Sequence, residues 1–292
     1  MNIVVVGGNG QLGSDISSAF IDRGDDVVSL THADIELSSL GSVRQNLGAI
    51  PADVVVNTAA MHHVEQCEQR PDDAFAVNAI GARNLALVTH ELGIVLFHVS
   101  TDYVFNGAKG EPYVEEDMPL PLNVYGNSKL AGEYLVRTVN PRHFVLRTSA
   151  LYGQHPCRAK GGQNFVDRMV RLARERGRIR VVDDEFVSPT STRDLARQVV
   201  TLSDCDAFGL YHATGEGSCS WYEYAKEIVS LAGVTAQVEI ACSSDFPAKV
   251  ARPRYSVLEN RALKTIGLNV FAPWQQALAA YVVSLEAEQA TK

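Results

Sequence analysis

The chain has 292 residues, of which 46% are hydrophobic and 8% aromatic, and its formal net charge is −8. This length suits one large domain, or a main domain with a smaller partner, and the composition is that of an ordinary globular protein. The negative charge argues against a nucleic-acid partner, because neutralising phosphates requires clustered lysines and arginines. One basic stretch, 168–180, alternates with apolar residues at helical spacing and predicts a solvated helix face, part of which could alternatively meet a substrate phosphate.

Cysteine usage and hydropathy indicate the compartment. The five cysteines are scattered and form no Cys-x-x-Cys pair, which favours reduced thiols in the cytoplasm. The first predicted strand begins so early that no signal peptide precedes it, and no apolar run approaches the ~18 residues that a membrane span needs. We therefore expect a soluble, cytoplasmic protein that does not bind membranes.

The N-terminal half alternates short β-branched runs with helical patterns. Strands are predicted at 2–6, 26–30, 52–57, 95–100 and 143–149, and helices at 11–23, 71–93 and 127–139. This alternation predicts an α/β fold with a Rossmann-type, doubly wound parallel sheet, and a dinucleotide-binding domain over 1–150. Ligands bind such sheets beyond the carboxyl ends of the strands.

The pattern loosens after Tyr152. Helices are predicted at 164–177 and 220–232, and strands at 179–182, 209–213 and 237–240. Thr192 is a candidate cap for a helix that begins near Arg193. We interpret 151–292 as mostly a smaller, interleaved α/β substrate lobe, with returns to the main sheet around 179–212.

A glycine loop, Gly7-Gly8-Asn9-Gly10-Gln11-Leu12-Gly13, follows the first strand. Two glycine registers fit it, and both place the pyrophosphate of a dinucleotide at a helix N-terminus. The predicted cofactor-binding residues are Gly7, Gly10, Gln11, Leu12, Gly13, Thr31, Asp34, Ala59, Ala60, Tyr125 and Lys129.

The tip of the second strand bears on the choice of cofactor. It reads Leu30-Thr31-His32, without the carboxylate that would bind a ribose 2′-hydroxyl and repel a 2′-phosphate. NADPH is therefore favoured, and NADH remains open. Asp34, slightly further on, is alternatively a cap for the next helix.

The catalytic candidates are Thr101, in Ser100-Thr101-Asp102, and the pair Tyr125 and Lys129. A ketone that accepts hydride develops alkoxide charge, which a nearby proton donor such as tyrosine stabilises. A lysine one helical turn away favours the tyrosinate and can hydrogen-bond the nicotinamide ribose. Thr101 can donate a second hydrogen bond to the carbonyl oxygen, and Asp102 could orient Thr101, bind a substrate hydroxyl or cap the turn.

A second Tyr-x-x-x-Lys match, Tyr222 to Lys226, tests how specific this pattern is. It follows no glycine loop and no strand-end threonine, and it lies after the predicted cofactor domain. We therefore interpret it as an ordinary helix with aromatic core contacts and assign the catalytic role to Tyr125.

With these motifs the chain resembles the extended short-chain dehydrogenases/reductases, and within them the dTDP-4-dehydrorhamnose reductases. The likeness spans nearly the whole chain, and its most specific run is Ser100-Thr101-Asp102-Tyr103-Val104-Phe105-Asn106-Gly107. It implies NAD(P)H-dependent reduction of the C4 ketone of a dTDP-4-keto-6-deoxy-L-hexose to dTDP-L-rhamnose, with Tyr125 as the acid, Lys129 as its partner and Thr101 as a hydrogen-bond donor. The substrate-binding residues it implies are Thr101, Asp102, Ser149, Asn164 and Arg252.

Some residues depart from the family pattern. Ala150 stands where many members have a tryptophan that packs on the sugar, so the resemblance does not fix which sugar the substrate carries. Arg193 falls where a further acidic metal ligand would be wanted, and no metal site is predicted. An epimerase or dehydratase that recycles its cofactor, and a regulatory homologue that binds NADP without catalysis, are the alternatives. The chain is expected to be a monomer or a homodimer.

Overall fold

The structure of the chain is a computed structural model that describes residues 1–157, 161–246 and 250–290. Its strands are β1 (Asn2–Val6), β2 (Asp26–Leu30), β3 (Val54–Asn57), β4 (Val95–Thr101), β5 (His143–Thr148), β6 (Leu151–Tyr152), β7 (Arg178–Val182), β8 (Phe186–Val187), β9 (Thr190–Ser191), β10 (Gly209–His212), β11 (Cys219–Ser220) and β12 (Gln237–Ala241).

The α-helices are α1 (Gln11–Arg23), α2 (Leu40–Gly48), α3 (Val64–Gln69), α4 (Pro71–Phe75), α5 (Ala82–Glu91), α6 (Val124–Val139), α7 (Phe165–Arg176), α8 (Thr192–Ser203), α9 (Trp221–Leu231), α10 (Arg261–Thr265) and α11 (Trp274–Ala290). A π-helical turn, Ala76–Gly81, joins α4 to α5, and a 3-10 turn, Asp102–Val104, follows β4. None of these helices is long and apolar enough to cross a membrane.

Six parallel strands form the main sheet, in the order β10-β5-β4-β3-β1-β2. Helices cover both faces, which lets strands such as β3 and β5 be buried along their whole length. On one face, Phe20 of α1 and Leu195 of α8 pack against the sheet. On the other, Leu47 of α2 and Leu85 of α5 do so. The predicted Rossmann-type, doubly wound sheet is confirmed.

Two elements return from the C-terminal half to the sheet. Strand β10 pairs with β5, and helix α8 packs against α1. The strand predicted at 179–182 does not return: β7 pairs with β12 in a separate two-stranded parallel sheet. Its alternation explains the difference, because Ile179 and Val181 are buried while Arg178 and Arg180 are exposed, a pattern that suits a sheet with one solvated face. The division at residue 150 stays a prediction.

The cap of α8 also differs from the prediction. Ser191, rather than Thr192, accepts the hydrogen bond from the Asp194 backbone N–H. Thr192 begins the helix, and its hydroxyl donates to the Asp15 carboxylate instead. Both residues can cap a helix, and the sequence places them side by side, so a one-residue error is expected.

The remaining elements enclose a second core, in which Tyr224, Ile228 and Leu278 are fully buried. Tyr222 packs partly buried against this core, whereas Lys226 is exposed. The second Tyr-x-x-x-Lys match is therefore a helix with aromatic core contacts.

Candidate active site

Two chain segments bring the catalytic candidates together: the end of β4 and the first turns of α6. Thr101 is the last residue of β4. The Asn123 side chain caps α6 by accepting from the Gly126 backbone N–H at 2.9 Å. A side chain at Gly126 would overlap the Tyr103 carbonyl oxygen. The glycine of Tyr-Gly-x-x-Lys thus lets the start of α6, with Tyr125, lie directly against the turn after Thr101.

The Tyr125 side chain contacts a buried chain of polar groups. The Thr101 hydroxyl, which also influences the pKa of Tyr125, donates to one carboxylate oxygen of Asp102 at 3.0 Å. The other oxygen of Asp102 accepts from the Ser149 hydroxyl at 2.9 Å. Asp102 is only 4% exposed, and its contact with Thr101 fits the first of the three roles considered for it; that role stays a prediction.

Burial shifts the pKa values of Asp102 and Tyr125. It raises the pKa of Asp102, while the hydrogen bonds from Ser256, Ser149 and Thr101 lower it. Burial also raises the pKa of Tyr125 above its usual range, and the hydrogen bond with Thr101 opposes that shift. A tyrosine in such an environment stays protonated near neutral pH and can act as an acid.

Lys129 is buried under the same strand end. Its ammonium donates to the Val99 carbonyl oxygen at 2.6 Å, and the residue is 2% exposed. Burial lowers the pKa of Lys129 to about 8, and the charge of Glu133, one turn further along α6, opposes this shift. Lys129 is therefore a cation whose charge depends on its immediate neighbours.

Glu133 belongs to a buried ionic network that we did not predict. Arg147 donates to both of its carboxylate oxygens, with distances of 2.7 to 3.1 Å, and the Ser100 hydroxyl donates to it at 2.5 Å. Both charged side chains are at most 2% exposed. The sequence held a signal for Glu133, because a carboxylate four residues after Lys129 lies on the same helix face.

The glycine loop lies at the carboxyl end of β1. Gly7 has a φ of +81°, and a side chain there would lie 2.8 Å from the Thr58 hydroxyl and 2.9 Å from the Ala59 nitrogen. A side chain at Gly13 would overlap the Gly7 carbonyl. The chain therefore turns from β1 into α1 in a space that admits only glycine at these two positions.

The start of α1 and a neighbouring cleft fit a dinucleotide. Gly10 caps α1 without a side chain, and the first turn holds no acidic residue, so an anion meets the positive end of the helix dipole. The cleft, of about 490 Å³, opens beside the loop. It is lined by Val6, Gly7, Thr31, His32, Ile35, Glu36, Leu37, Ser38, Ala59, Ala60, Met61, Arg70, Asp73, Ala76 and Val77. Four predicted cofactor residues (Gly7, Thr31, Ala59 and Ala60) thus share one cavity.

Three other predicted cofactor residues have protein partners. The Gln11 amide donates to the carbonyl oxygens of Gly153 and His155, at 3.2 and 3.0 Å. Leu12 is buried in the core under the sheet. Asp34 accepts from the backbone N–H and the hydroxyl of Thr31 and does not cap α2, which Ser39 caps.

The predicted substrate residues divide into a buried and an exposed group. Asn164 is 4% exposed and caps α7, and its amide donates to the Gly153 carbonyl and the Tyr281 hydroxyl. Ser149 is buried beside Asp102. Arg252 is 39% exposed and forms an ion pair with Glu65 on α3. Arg252 is therefore the charged member of this set that solvent can reach.

The loop between β3 and α3 is held by Asn78 of the π-helical turn. Its amide exchanges hydrogen bonds with the backbone N–H and carbonyl of Met61, at 2.8 and 2.9 Å, and also donates to Ser128 on α6.

Within the described ranges, no group of three histidine, cysteine or acidic side chains is placed to hold a metal ion.

Comparison with known proteins identifies the family. The sequence matches the RmlD substrate binding domain over residues 1–287. It is 38% identical over 280 residues to the spore coat polysaccharide biosynthesis protein SpsK of Bacillus subtilis, with 96% of each chain covered.

Two crystal structures agree with this match. A dTDP-4-dehydrorhamnose reductase from Clostridium acetobutylicum superposes with a TM-score of 0.94 at 36% identity, over 98% of this chain and 100% of that one. The Bacillus anthracis dTDP-4-dehydrorhamnose reductase, in complex with NADP, gives a TM-score of 0.92 at 35% identity, over 97% of this chain and 99% of that one. The chain belongs to the dTDP-4-dehydrorhamnose reductase family.

Proposed function

We propose that this chain is an NADPH-dependent reductase of the C4 ketone of a dTDP-4-keto-6-deoxy sugar, with dTDP-4-dehydro-L-rhamnose as the substrate and dTDP-L-rhamnose as the product. The observation that carries the proposal is the placement of Tyr125: the first turn of α6 lies directly against the turn that follows Thr101, and Lys129 is buried on the same helix. The relative crystallised with NADP supports the choice of cofactor.

The glycine loop and the start of α1 would hold the diphosphate of NADPH, and the cleft lined by Thr31 and Ala59 would hold its adenosine end. When bound, NADPH supplies the hydride for the ketone carbon. Arg70 is the arginine in the wall of this cleft, where it pairs with Asp73 at 2.5 Å. A cation at this place suits a 2′-phosphate.

Tyr125 donates the proton to the carbonyl oxygen as alkoxide charge develops there. Its raised pKa keeps the phenol protonated until that moment. The Thr101 hydroxyl has one proton, which the structure directs to Asp102, so it must turn that proton towards the ketone oxygen to donate the second hydrogen bond there. The Lys129 ammonium stabilises the tyrosinate that remains, so it must be protonated for the reaction to proceed.

Arg252 is the proposed partner of the substrate diphosphate, because it is a half-exposed guanidinium close to the start of α6. Ser149 and Asn164 are the proposed buried residues of the substrate pocket.

We further propose that the chain works in the cytoplasm, where NADPH and nucleotide sugars are present, and that it is a monomer or a homodimer. Light scattering of the purified protein tests the oligomeric state.

The experiment is NADPH consumption on enzymatically generated dTDP-4-keto-6-deoxy-L-hexose, with NADH in parallel. Tyr125→Phe is compared with the matched control Tyr222→Phe from the second Tyr-x-x-x-Lys segment. We expect turnover by the wild type and by Y222F, and a loss of about 10²–10⁴-fold in Y125F, which retains NADPH binding. Equal rates in Y125F and Y222F would refute the assignment of the acid, and absence of turnover with either cofactor would refute the reaction.

A further inference from the structure

The ion pair between Glu65 and Arg252 joins two distant parts of the chain. Glu65 lies in the first turn of α3, and Arg252 in the segment that follows the described Val250. One oxygen of Glu65 lies 2.5 Å from the Arg252 guanidinium, and the other lies 3.3 Å from the ring of His63. The two side chains of the pair are 30% and 39% exposed, so the contact is open to solutes.

The same corner holds the beginning of the catalytic helix. The Asn123 amide, which caps α6, donates to the Ala251 carbonyl oxygen at 2.9 Å. The Val124 backbone N–H donates to Glu68 on α3 at 3.0 Å. Residues next to Arg252 therefore hydrogen-bond the start of α6, and these contacts position Tyr125.

Acidic side chains already surround Arg252, unlike the guanidinium of a preformed anion site. Besides Glu65, the half-buried Glu185 also interacts electrostatically with Arg252. Glu185 also interacts with Arg254, so Glu65 is the carboxylate that is paired with Arg252 directly. An incoming diphosphate must compete with Glu65, which is the carboxylate in direct contact with Arg252 and is 30% exposed.

We infer that Glu65 is a built-in competitor of the substrate: its carboxylate occupies Arg252 until the diphosphate of a nucleoside diphosphate displaces it. The inference rests on the proposed function, which makes Arg252 the partner of that diphosphate. A diphosphate has more charge and more acceptor oxygens than a carboxylate, and it can take the bidentate geometry that a guanidinium favours. Glu65 thereby selects against ligands with a single weak anionic group.

The test is the affinity for dTDP, measured by calorimetry on the full-length protein. In Glu65→Gln we expect dTDP to bind about threefold to tenfold more tightly, the scale of a partly exposed ion pair. The matched control is Glu91→Gln, which breaks the exposed pair of Arg44 with Glu91 on the main domain and should change the affinity by less than about twofold. The gain in E65Q should shrink at high salt, because salt screens both contacts.

A double-mutant cycle locates the effect. Arg252→Gln should weaken dTDP binding, and Glu65→Gln combined with Arg252→Gln should bind no more tightly than R252Q alone. Glu65→Ser, expected to show the same gain, is the second variant should E65Q unfold. Unchanged or weaker dTDP binding in E65Q, or an equal gain in the absence of Arg252, would overturn the inference, as would failure of both the wild type and E65Q to bind dTDP.

Failure of the proposed function has a different signature. A wild type that binds dTDP but consumes no NADPH with keto-sugar nucleotides contradicts the reductase assignment, while the cycle still decides the role of Glu65. Conversely, full turnover by the wild type with no gain in dTDP affinity in E65Q would support the reductase assignment and contradict the competitor role of Glu65.

Discussion

The Lys129 ammonium lies 2.6 Å from the carbonyl oxygen of Val99, two residues before Thr101 on the same strand. The buried lysine is thereby attached to the strand that carries the hydroxyl partner of Tyr125. Helix α6 and strand β4 thus hold the proposed acid, Thr101 and the proposed cation in one packed unit. The pKa of this lysine, lowered to about 8, gives the unit a pH dependence that can be measured.

The rate of reduction should fall with rising pH above about 8. Lys129 is protonated below its pKa and loses its charge above it, so stabilisation of the tyrosinate is present at pH 6–7 and is lost towards pH 9. The check is kcat as a function of pH. Lys129→Arg, whose charge persists over this whole range, should show a lower but flat profile. A wild-type profile that stays level up to pH 9.5 would contradict the assignment of Lys129.

Asp102→Asn should lower kcat about tenfold, a modest part of the range for general-acid machinery. The substitution keeps the size of the side chain but replaces one acceptor of the Thr101 and Ser149 hydroxyls with a donor, so the Thr101 hydroxyl loses its fixed direction. Steady-state kinetics check this, with Ser149→Ala as the milder comparison. A KM for NADPH that rises while kcat stays constant would instead place Asp102 in cofactor binding.

Glu133→Gln should destabilise the protein by about 3–5 kcal/mol, because it leaves Arg147 as an unpaired buried charge. Urea unfolding measures this loss. Adding Arg147→Met to Glu133→Gln should recover much of the stability, since the uncompensated charge is gone. If the single variant proved as stable as the wild type, the ion pair would have to be solvated in solution.

Gly13→Ala should abolish cofactor binding and destabilise the fold, because the added methyl group overlaps the Gly7 carbonyl. Gly48→Ala is the matched control: it ends α2, has nothing within 4 Å of an added methyl group, and should be neutral or stabilising by up to about 1 kcal/mol. NADPH titration and thermal melts of both variants provide the measurement. Retained NADPH affinity in G13A would contradict the close packing of the loop.

The sequence predicted the first five strands of the main sheet because each is a short β-branched run beside a clear helical pattern. It anticipated a helix after Asp34 without giving its bounds, because local signals there are weak: α2 is nine residues long and contains two glycines, Gly41 and Gly48. The π-helical turn has no sequence signature, since it arises from the packing of Asn78 against Met61 and α6. Strand β7 was assigned to the wrong sheet because its β-propensity does not specify its partner.

The candidate site was predictable where motif spacing dictates geometry, as for the glycine loop and for Thr101 beside Tyr125. Spacing could not show that the Gln11 amide is engaged by the loop at Gly153 and His155, or that Arg252 is paired with Glu65. These contacts join residues more than 140 positions apart, so they depend on the tertiary fold rather than on local pattern. The contacts of Ser149 and Asn164 with substrate remain predictions.

The most direct test of the central claim follows the hydrogen itself. NADPH deuterated at the reactive C4 position of the nicotinamide is incubated with the enzyme and dTDP-4-dehydro-L-rhamnose, and the product is analysed by mass spectrometry and proton NMR. We predict one deuterium at C4 of the product sugar and one NADP⁺ formed per sugar reduced. A sugar that is converted without deuterium, or without net oxidation of NADPH, would contradict the reductase mechanism and indicate a cofactor that is recycled.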